Sequence, residues 1–155
     1  MAAGGYEESD GYYMVDERQD YDIKRYREVG KALGKATYDL GPRPDLSLAS
    51  LFYTHDMGQG TEFFHSDLQM DQYWLNYSLQ CDGFGVKGLA YLNRADKTAF
   101  QDNANDNYTS AFRDEKFPNT YTLGVDLQGT LFAWSPLQLT VGAAFKEASW
   151  DYGED

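Results

Sequence analysis

Residues 73–80 read Tyr-Trp-Leu-Asn-Tyr-Ser-Leu-Gln, and this stretch decides the fold class. Its odd-numbered residues are all Tyr or Leu, whereas the even-numbered residues after Trp74 are polar. A period of two places alternate side chains on opposite faces of a β-strand. The stretch therefore predicts a strand with one apolar face and one polar face.

The same alternation recurs along the chain on both sides of this strand. The sequence predicts six strands, near residues 31–40, 45–54, 71–80, 84–94, 119–133 and 137–148. Turn-forming Pro, Gly and Asp residues separate them in pairs, at 41–45, 81–83 and 133–136. Long polar connections are predicted at 55–70 and 95–118. Short turns thus lie at one end of the sheet and long loops at the other.

This asymmetry, together with a polar second face, is typical of an outer-membrane barrel wall. Transmembrane β-strands are about 9–11 residues long, expose one side chain in two to lipid, and alternate short periplasmic turns with long external loops. Charged and amide side chains on the second face suit a watery interior and would make a poor dry core. That face carries Lys35, Asp39, Asn76, Gln80, Lys87, Asp126, Gln128 and Lys146.

The fold class that follows is all-β: an antiparallel, up-and-down transmembrane β-barrel segment of about six to seven strands that does not close alone. The seventh strand would come from residues 11–15, and eight strands are the usual minimum for a barrel. Aromatic residues near predicted strand ends fit the girdles found at the headgroup levels. They are Tyr38, Phe52, Tyr73, Tyr121, Trp134 and Phe145.

Composition excludes several classes of function. The formal charge of −12 argues against a nucleic-acid partner. A single cysteine, Cys81, cannot form an internal disulfide, and two histidines are too few for a standard structural zinc site. The first residues lack the basic and apolar regions of a signal peptide, and there is no apolar run of about 18 residues.

Four stretches resemble the barrel of TonB-dependent outer-membrane receptors: residues 4–12, 23–25, 38–42 and 139–146. In that family a signal peptide, a TonB box and a plug domain precede a 22-stranded barrel whose last strand usually ends in an aromatic residue. The start of this sequence shows none of these features, and its end is Glu154-Asp155. The resemblance therefore implies a segment of a larger barrel.

The resemblance also implies a domain organisation and partners. Residues 1–155 would form one partial barrel domain: 1–30 an external loop or strand end, 31–148 three hairpins with short periplasmic turns, and 149–155 the start of the next external loop. Its partners would be lipid of the Gram-negative outer membrane, the rest of the barrel, and the plug through which TonB acts. The parent receptor would import a ferric siderophore, cobalamin or a similar large nutrient. The alternative is a non-transporting small barrel or a soluble β-sheet module for binding or adhesion.

Loop aromatics and one guanidinium are the candidate ligand contacts, because they suit planar anionic ferric chelates. They are Phe63, Phe64, Tyr108, Phe112, Arg113 and Phe117. The alternative is that these side chains pack loop against loop. No nucleophile elbow or phosphate-binding Gly loop is present, so the sequence predicts no enzyme, no catalytic residue and no cofactor.

Two further motifs suggest metal binding without matching a metal-site pattern. Residues 102–107 are rich in oxygen ligands, but Ala104, Asn107 and Arg113 stand where an EF-hand needs a ligand, a glycine and a glutamate. His55 and His65 lie at the two ends of one predicted loop with acidic neighbours, and loop histidines are usually polar surface. We expect no metal site at either place.

Overall fold

The structure, a computed structural model, describes residues 1–39, 41, 44–134 and 137–154. These residues form one antiparallel sheet in which seven strands lie side by side in chain order. The strands are β1 (Ala2–Ser9), β2 (Tyr26–Asp39), β3 (Pro44–Gly58), β4 (His65–Gln80), β5 (Phe84–Asp102), β6 (Ala111–Trp134) and β7 (Leu137–Ser149). A two-residue strand, β8 (Gly153–Glu154), pairs with β6.

The fold prediction is confirmed: the chain is all-β, antiparallel and up-and-down, and its seven-stranded sheet does not close. Within the described residues, β1 and β7 are the two edges of the sheet. One 3₁₀ turn, Ala104–Asp106, interrupts the strands. None of the described segments forms a helix that is long and apolar enough to cross a membrane.

The two long connections were predicted wrongly, because most of their residues continue the strands. β3 and β4 leave only residues 59–64 between them, and β5 and β6 leave only 103–110. The β5 and β6 extensions carry charged side chains on both faces, and in the β3 and β4 extensions acidic and amide residues occupy the face that is apolar nearer the turns. The alternation of the preceding segments therefore stops, and the sequence resembles a loop. Backbone pairing with the neighbouring strand nevertheless continues.

The seventh strand lies elsewhere than predicted. Residues 11–15 are not in a strand, whereas β1 pairs along its whole length with β2, from Ala2 opposite Gly34 to Ser9 opposite Arg27. Gly11 ends the extended run with a φ of +59°, a conformation that favours glycine. Two adjacent glycines and two adjacent glutamates give β1 the composition of a loop, so the sequence did not predict this strand.

Short turns join the strands at one end, as expected. Residues 81–83 link β4 to β5, and the Cys81 amide donates a hydrogen bond to the Phe84 carbonyl at 2.8 Å. The predicted turns at 41–45 and 133–136 fall partly on Pro42, Arg43, Ser135 and Pro136, which lie outside the described residues, as does Leu40 at the end of the predicted strand 31–40. The flanking strands are paired across both turns.

An irregularity crosses three strands near the other end of the sheet. The β5–β6 register shifts between Ala95 and Lys97, and opposite it Asn119 has a φ of +54°. The Asn119 amide donates to Asp96 Oδ1 at 2.5 Å. On the far side of β6, residues 150–152 separate β7 from β8, which pairs further along the same strand. The β5 and β6 extensions therefore begin with a break in the ladder, whereas the β3–β4 register continues without a shift.

The sheet has almost no core. Val29, with 5% of its surface exposed, is the one buried apolar residue within the described part of the chain. No second layer of described residues covers either face, because every strand belongs to the same single sheet. The apolar side chains of this sheet must therefore meet something other than this chain.

Candidate functional site

The register places most of the exposed apolar side chains of β2–β7 on one face of the sheet, here called the apolar face. Paired residues form rows across the strands, and one row runs through Ala36, Leu48, Leu75, Ala90, Val125 and Phe145. Together with the adjacent rows toward the turns, it forms a continuous apolar belt. On β6 the belt runs from Leu123 to Leu131. The exposed fractions of Leu127 on β6 and of Phe145 on β7 are 55% and 59%. An uncovered apolar surface of this extent marks a contact surface.

The edge of the belt away from the turns runs obliquely across the strands. The first charged residue on the apolar face is Asp56 on β3, Asp71 on β4 and Glu147 on β7. Asp56 pairs with Asp67, four residues beyond Asp71. From Asp71 the row continues through β5 and β6 to Ser149, two residues beyond Glu147. The boundary therefore descends in one direction from β3 to β7.

This descent gives the angle between the strands and the boundary. Glu28 of β2 lies opposite Asp56, so the total shift from β2 to β7 is six residues over five strand spacings. Six residues of about 3.4 Å each, over five spacings of about 4.8 Å, correspond to a tilt of about 40°. Strands of membrane barrels tilt by about 35–45°. The eight-residue interval from Leu123 to Leu131 then spans about 21 Å along the normal to the boundary.

Aromatic side chains lie near both margins of the belt. At the margin away from the turns, Phe52 and Tyr73 pack edge to face with ring centroids 5.7 Å apart, and Tyr121 lies near them on β6. At the turn end, Tyr38 and Phe84 lie on the same face, with 66% and 42% of their surfaces exposed. The side chain of Trp134, another predicted girdle residue, lies outside the described part of the structure.

The opposite, polar face carries the eight charged and amide residues that the alternation placed there. At the level of the belt, five of the eight line a shallow cavity of about 490 Å³. Its lining includes Lys35, Asp45, Asn76, Lys87, Asp126 and Gln128. Cations and carboxylates at this density require water or polar partners. The same face also carries Leu33, Leu51, Trp74, Leu89 and Tyr91.

Two of the six candidate ligand contacts come together on the outer strand extensions. An Arg113 Nη donates to the Tyr152 hydroxyl at 3.0 Å, and the Tyr152 ring lies 5.1 Å from that of Phe117. Glu115 also holds the Arg113 guanidinium at 3.0 Å. Sequence reasoning missed Tyr152, which follows the last predicted strand. The guanidinium is thus already engaged within the chain.

The other four candidates are dispersed. Phe63 and Phe64 lie in the tight connection 59–64, where the Gln59 amide donates to the Phe64 carbonyl at 2.7 Å. Tyr108 packs on Tyr21 with ring centroids 4.7 Å apart, and Phe112 is 65% exposed on β6. The packing of Tyr108 is of the loop-against-loop kind, and ligand contact for these residues stays a prediction.

The connection between β1 and β2, residues 10–25, crosses the ends of the other strands. Its Asp22 pairs with Thr61, and the Ile23 amide donates to the Gly60 carbonyl at 2.9 Å. Thr61 also donates to Asp102 Oδ2 at 2.5 Å, which joins the β3–β4 connection to the end of β5. These contacts bind the three longer connections into one layer at the end of the sheet opposite the turns, here called the outer end.

The two metal-like motifs serve as local structure. The Asn103 side chain accepts a hydrogen bond from the Asn105 amide and begins the 3₁₀ turn. His65 stacks on Phe100 at 4.4 Å. Across the described residues, no group of three or more His, Cys, Asp or Glu side chains is arranged to hold a metal ion.

The net charge of the described residues lies entirely at the outer end. Residues 1–30, 54–72, 93–122 and 147–154 contain 20 acidic and 8 basic residues, a net charge of −12. The other described residues, at the level of the belt and turns, contain 4 acidic and 4 basic residues, so their net charge is zero. A cation approaching the outer end is therefore favoured over a multiply charged anion.

A tyrosine at the outer end illustrates this electrostatic environment. The Tyr26 hydroxyl donates to Asp56 Oδ1 at 2.9 Å, and its ring covers Gly58, the residue opposite it on β3. Partial burial, and then the hydrogen bond to Asp56, raise the pKa of Tyr26 to about 12. The hydroxyl therefore stays protonated and continues to donate at any physiological pH.

Comparisons of the chain with protein-family models, with curated proteins and with solved structures find no match. The functional argument therefore rests on the chain's own sequence and geometry.

Proposed function

We propose that this chain is part of the wall of a transmembrane β-barrel, with the apolar belt facing lipid and the polar face lining an aqueous interior. The oblique boundary of the belt carries the proposal. A membrane surface is flat, so strands tilted at about 40° must exchange apolar for charged residues at successively shifted positions. The shift of six residues between β2 and β7 has that form.

The free edges support further β-strands as the nearest partner. A backbone N–H or C=O group without a partner costs several kcal/mol in hydrocarbon, so a sheet in lipid must close. β1 and β7 present such groups, and β7 has no proline within Leu137–Ser149 to block pairing. Further strands of a larger barrel would supply the missing bonds and leave no edge.

The receptor class rests on the resemblance to TonB-dependent receptors rather than on the sheet. We infer that the complete protein is an outer-membrane receptor that imports a ferric siderophore, cobalamin or a similar large nutrient. In that architecture the polar face would meet the barrel interior and the plug, TonB would act through the plug, and the outer end would face the medium. The strand extensions and the layer of connections support a ligand-facing role for that end.

Reconstitution tests the membrane assignment. The chain would be refolded in phospholipid vesicles and in detergent-free buffer, with circular dichroism and protease protection as readouts. We expect strand content and protection of residues 123–146 only with lipid. A stable, monomeric, detergent-free sheet would favour the soluble binding or adhesion module.

The coding region tests the receptor class separately. We expect the reading frame upstream of Met1 to encode a plug domain and a TonB box. If the protein were a closed eight-stranded barrel without such a region, the membrane assignment would stand and the receptor class would be rejected.

A further inference from the structure

A second site, with polar and aromatic residues, lies at the root of the 10–25 connection, where the chain leaves β1 and enters β2. Here a cavity of about 390 Å³ opens between the outer ends of β1, β2 and β3. Tyr12 and Met57 supply aromatic and apolar lining, Arg25 and Arg27 supply two guanidinium groups, and Glu7 supplies one carboxylate. The volume falls in the usual range of small-molecule sites, about 300–1,000 Å³.

The backbone around this cavity is fixed before any ligand arrives. The Arg25 amide donates to the Tyr12 carbonyl at 3.1 Å, and the Gly11 amide donates to Ser9 Oγ at 3.2 Å. Gly11 is required for this closure, because a Cβ at its position would lie 1.9 Å from the Arg25 carbonyl oxygen. The site is thus held by hydrogen bonds across the root of the connection, which lowers the ordering cost of binding.

The guanidinium groups are incompletely satisfied by the chain. Arg25 Nε is buried and has no hydrogen-bond partner among the described residues, although a buried donor without a partner is costly. Arg27 Nη1 forms an exposed ion pair with Glu7 Oε1 at 3.9 Å, a separation beyond hydrogen-bond distance that leaves the guanidinium N–H groups able to donate to a ligand. Guanidinium groups bind carboxylates with paired, charge-assisted hydrogen bonds, so this site offers donors of the kind that an organic anion accepts.

We propose that this cavity binds a small organic anion with one carboxylate and an aromatic or apolar body. The carboxylate accepts hydrogen bonds from Arg25 and Arg27, and the body packs on Tyr12 and Met57. The net charge of −12 among the described residues of the outer end limits the ligand to a single negative charge, because additional charges would be repelled. The proposal uses the proposed function only to place the site toward the medium.

The test is calorimetric titration of the full chain in detergent micelles with 1-naphthoate as the probe. Its neutral isostere 1-naphthamide and the dianion naphthalene-1,4-dicarboxylate serve as comparison ligands. We expect naphthoate to bind with a dissociation constant on the order of 1 mM, as its size allows. Both comparison ligands should bind at least about tenfold more weakly than naphthoate. Equal binding of naphthoate and naphthamide would overturn the proposal.

Variants assign the binding to this cavity. Arg25→Gln should reduce naphthoate affinity about tenfold, and Arg25→Lys, which retains the charge but not the paired donors, should reduce it less. Arg18→Gln is the matched control, since Arg18 lies over the Tyr13 ring in the same connection and outside the cavity. Tyr12→Ala tests the apolar wall without removing a charge. An equal loss in Arg18→Gln, or none in Arg25→Gln and Tyr12→Ala, would reject the site while leaving the lipid-facing assignment intact.

Discussion

Strand β6 contains two regions of opposite character with the same backbone pairing. From Leu123 to Leu131 it alternates apolar and polar residues, whereas residues 112–120 carry charge on both faces. On one side of β6, β5 pairs with both regions. On the other side, β7 pairs with residues 123–131 and β8 pairs with part of residues 112–120. Hydrogen bonding therefore does not explain the change in sequence. The surroundings of each region do, and we attribute them to lipid and water respectively.

A charged substitution should separate the two regions most strongly. We expect Val125→Arg to destabilise the chain in vesicles by about 2–4 kcal/mol, because the side chain would enter the middle of the hydrocarbon layer. Gln128→Arg on the polar face, and Phe112→Arg beyond the belt, should each change stability by no more than about 0.5 kcal/mol. Urea unfolding in vesicles gives the three values. Similar costs at Val125 and Phe112 would remove the distinction between the regions.

A packing substitution tests the polar face at the level of the belt. The Tyr91 ring lies over Gly124, and a Cβ there would stand 2.2 Å from the ring. Gly124→Ala should cost about 1–3 kcal/mol through displacement of the ring. Gly129→Ala, where the nearest atom would be 4.0 Å away, should be neutral within about 0.5 kcal/mol. Equal unfolding free energies for both variants would show that the Tyr91 ring is not held over Gly124.

A smaller effect should be confined to the outer end. The pKa of Tyr26 is raised to about 12, so the folded chain holds this proton more tightly than the unfolded chain. The stabilisation is fully present below about pH 10, the ordinary tyrosine pKa, and is lost as the pH rises toward about 12. The pKa values of Tyr6 and Tyr121 are raised as well, by desolvation and neighbouring carboxylates at Tyr6 and by the carboxylate of Glu147 at Tyr121. Ultraviolet difference titration should therefore show a phenolate near pH 12 that disappears in Tyr26→Phe and persists in Tyr12→Phe. A phenolate near pH 12 that survives Tyr26→Phe would contradict this assignment.

The sequence predicted the fold best where the two faces of the sheet meet different surroundings. Between Leu123 and Leu131 the alternation placed the strand, its faces and its pairing partner correctly. Alternation is informative only when one face is apolar, so residues 111–118 and 55–58 resembled loops although they extend strands. β1 was missed for the same reason, because Glu7 and Glu8 are both exposed.

The candidate contacts could be recognised as residue types but not as a site. Arg113 and Phe117 come together through Tyr152, which lies 39 residues from Arg113 in sequence. The cavity near Arg25 depends on Gly11 and on a hydrogen bond between residues 12 and 25, and no spacing rule indicates either. Long-range contacts of this kind follow from the register, which the alternation specifies within strands but not across the connections.

Spin labelling tests the lipid-facing belt most directly. Single cysteines would be introduced at Val125, Asp126, Leu127 and Gln128, and at Phe112 and Lys116 for the outer end, in a Cys81→Ser background reconstituted in vesicles. We expect labels at 125 and 127 to collide with lipid-soluble oxygen, labels at 126 and 128 to collide with a water-soluble nickel chelate, and both outer labels to collide with the chelate. Equal access of the chelate to all four labels at 125–128 would contradict a lipid-facing belt.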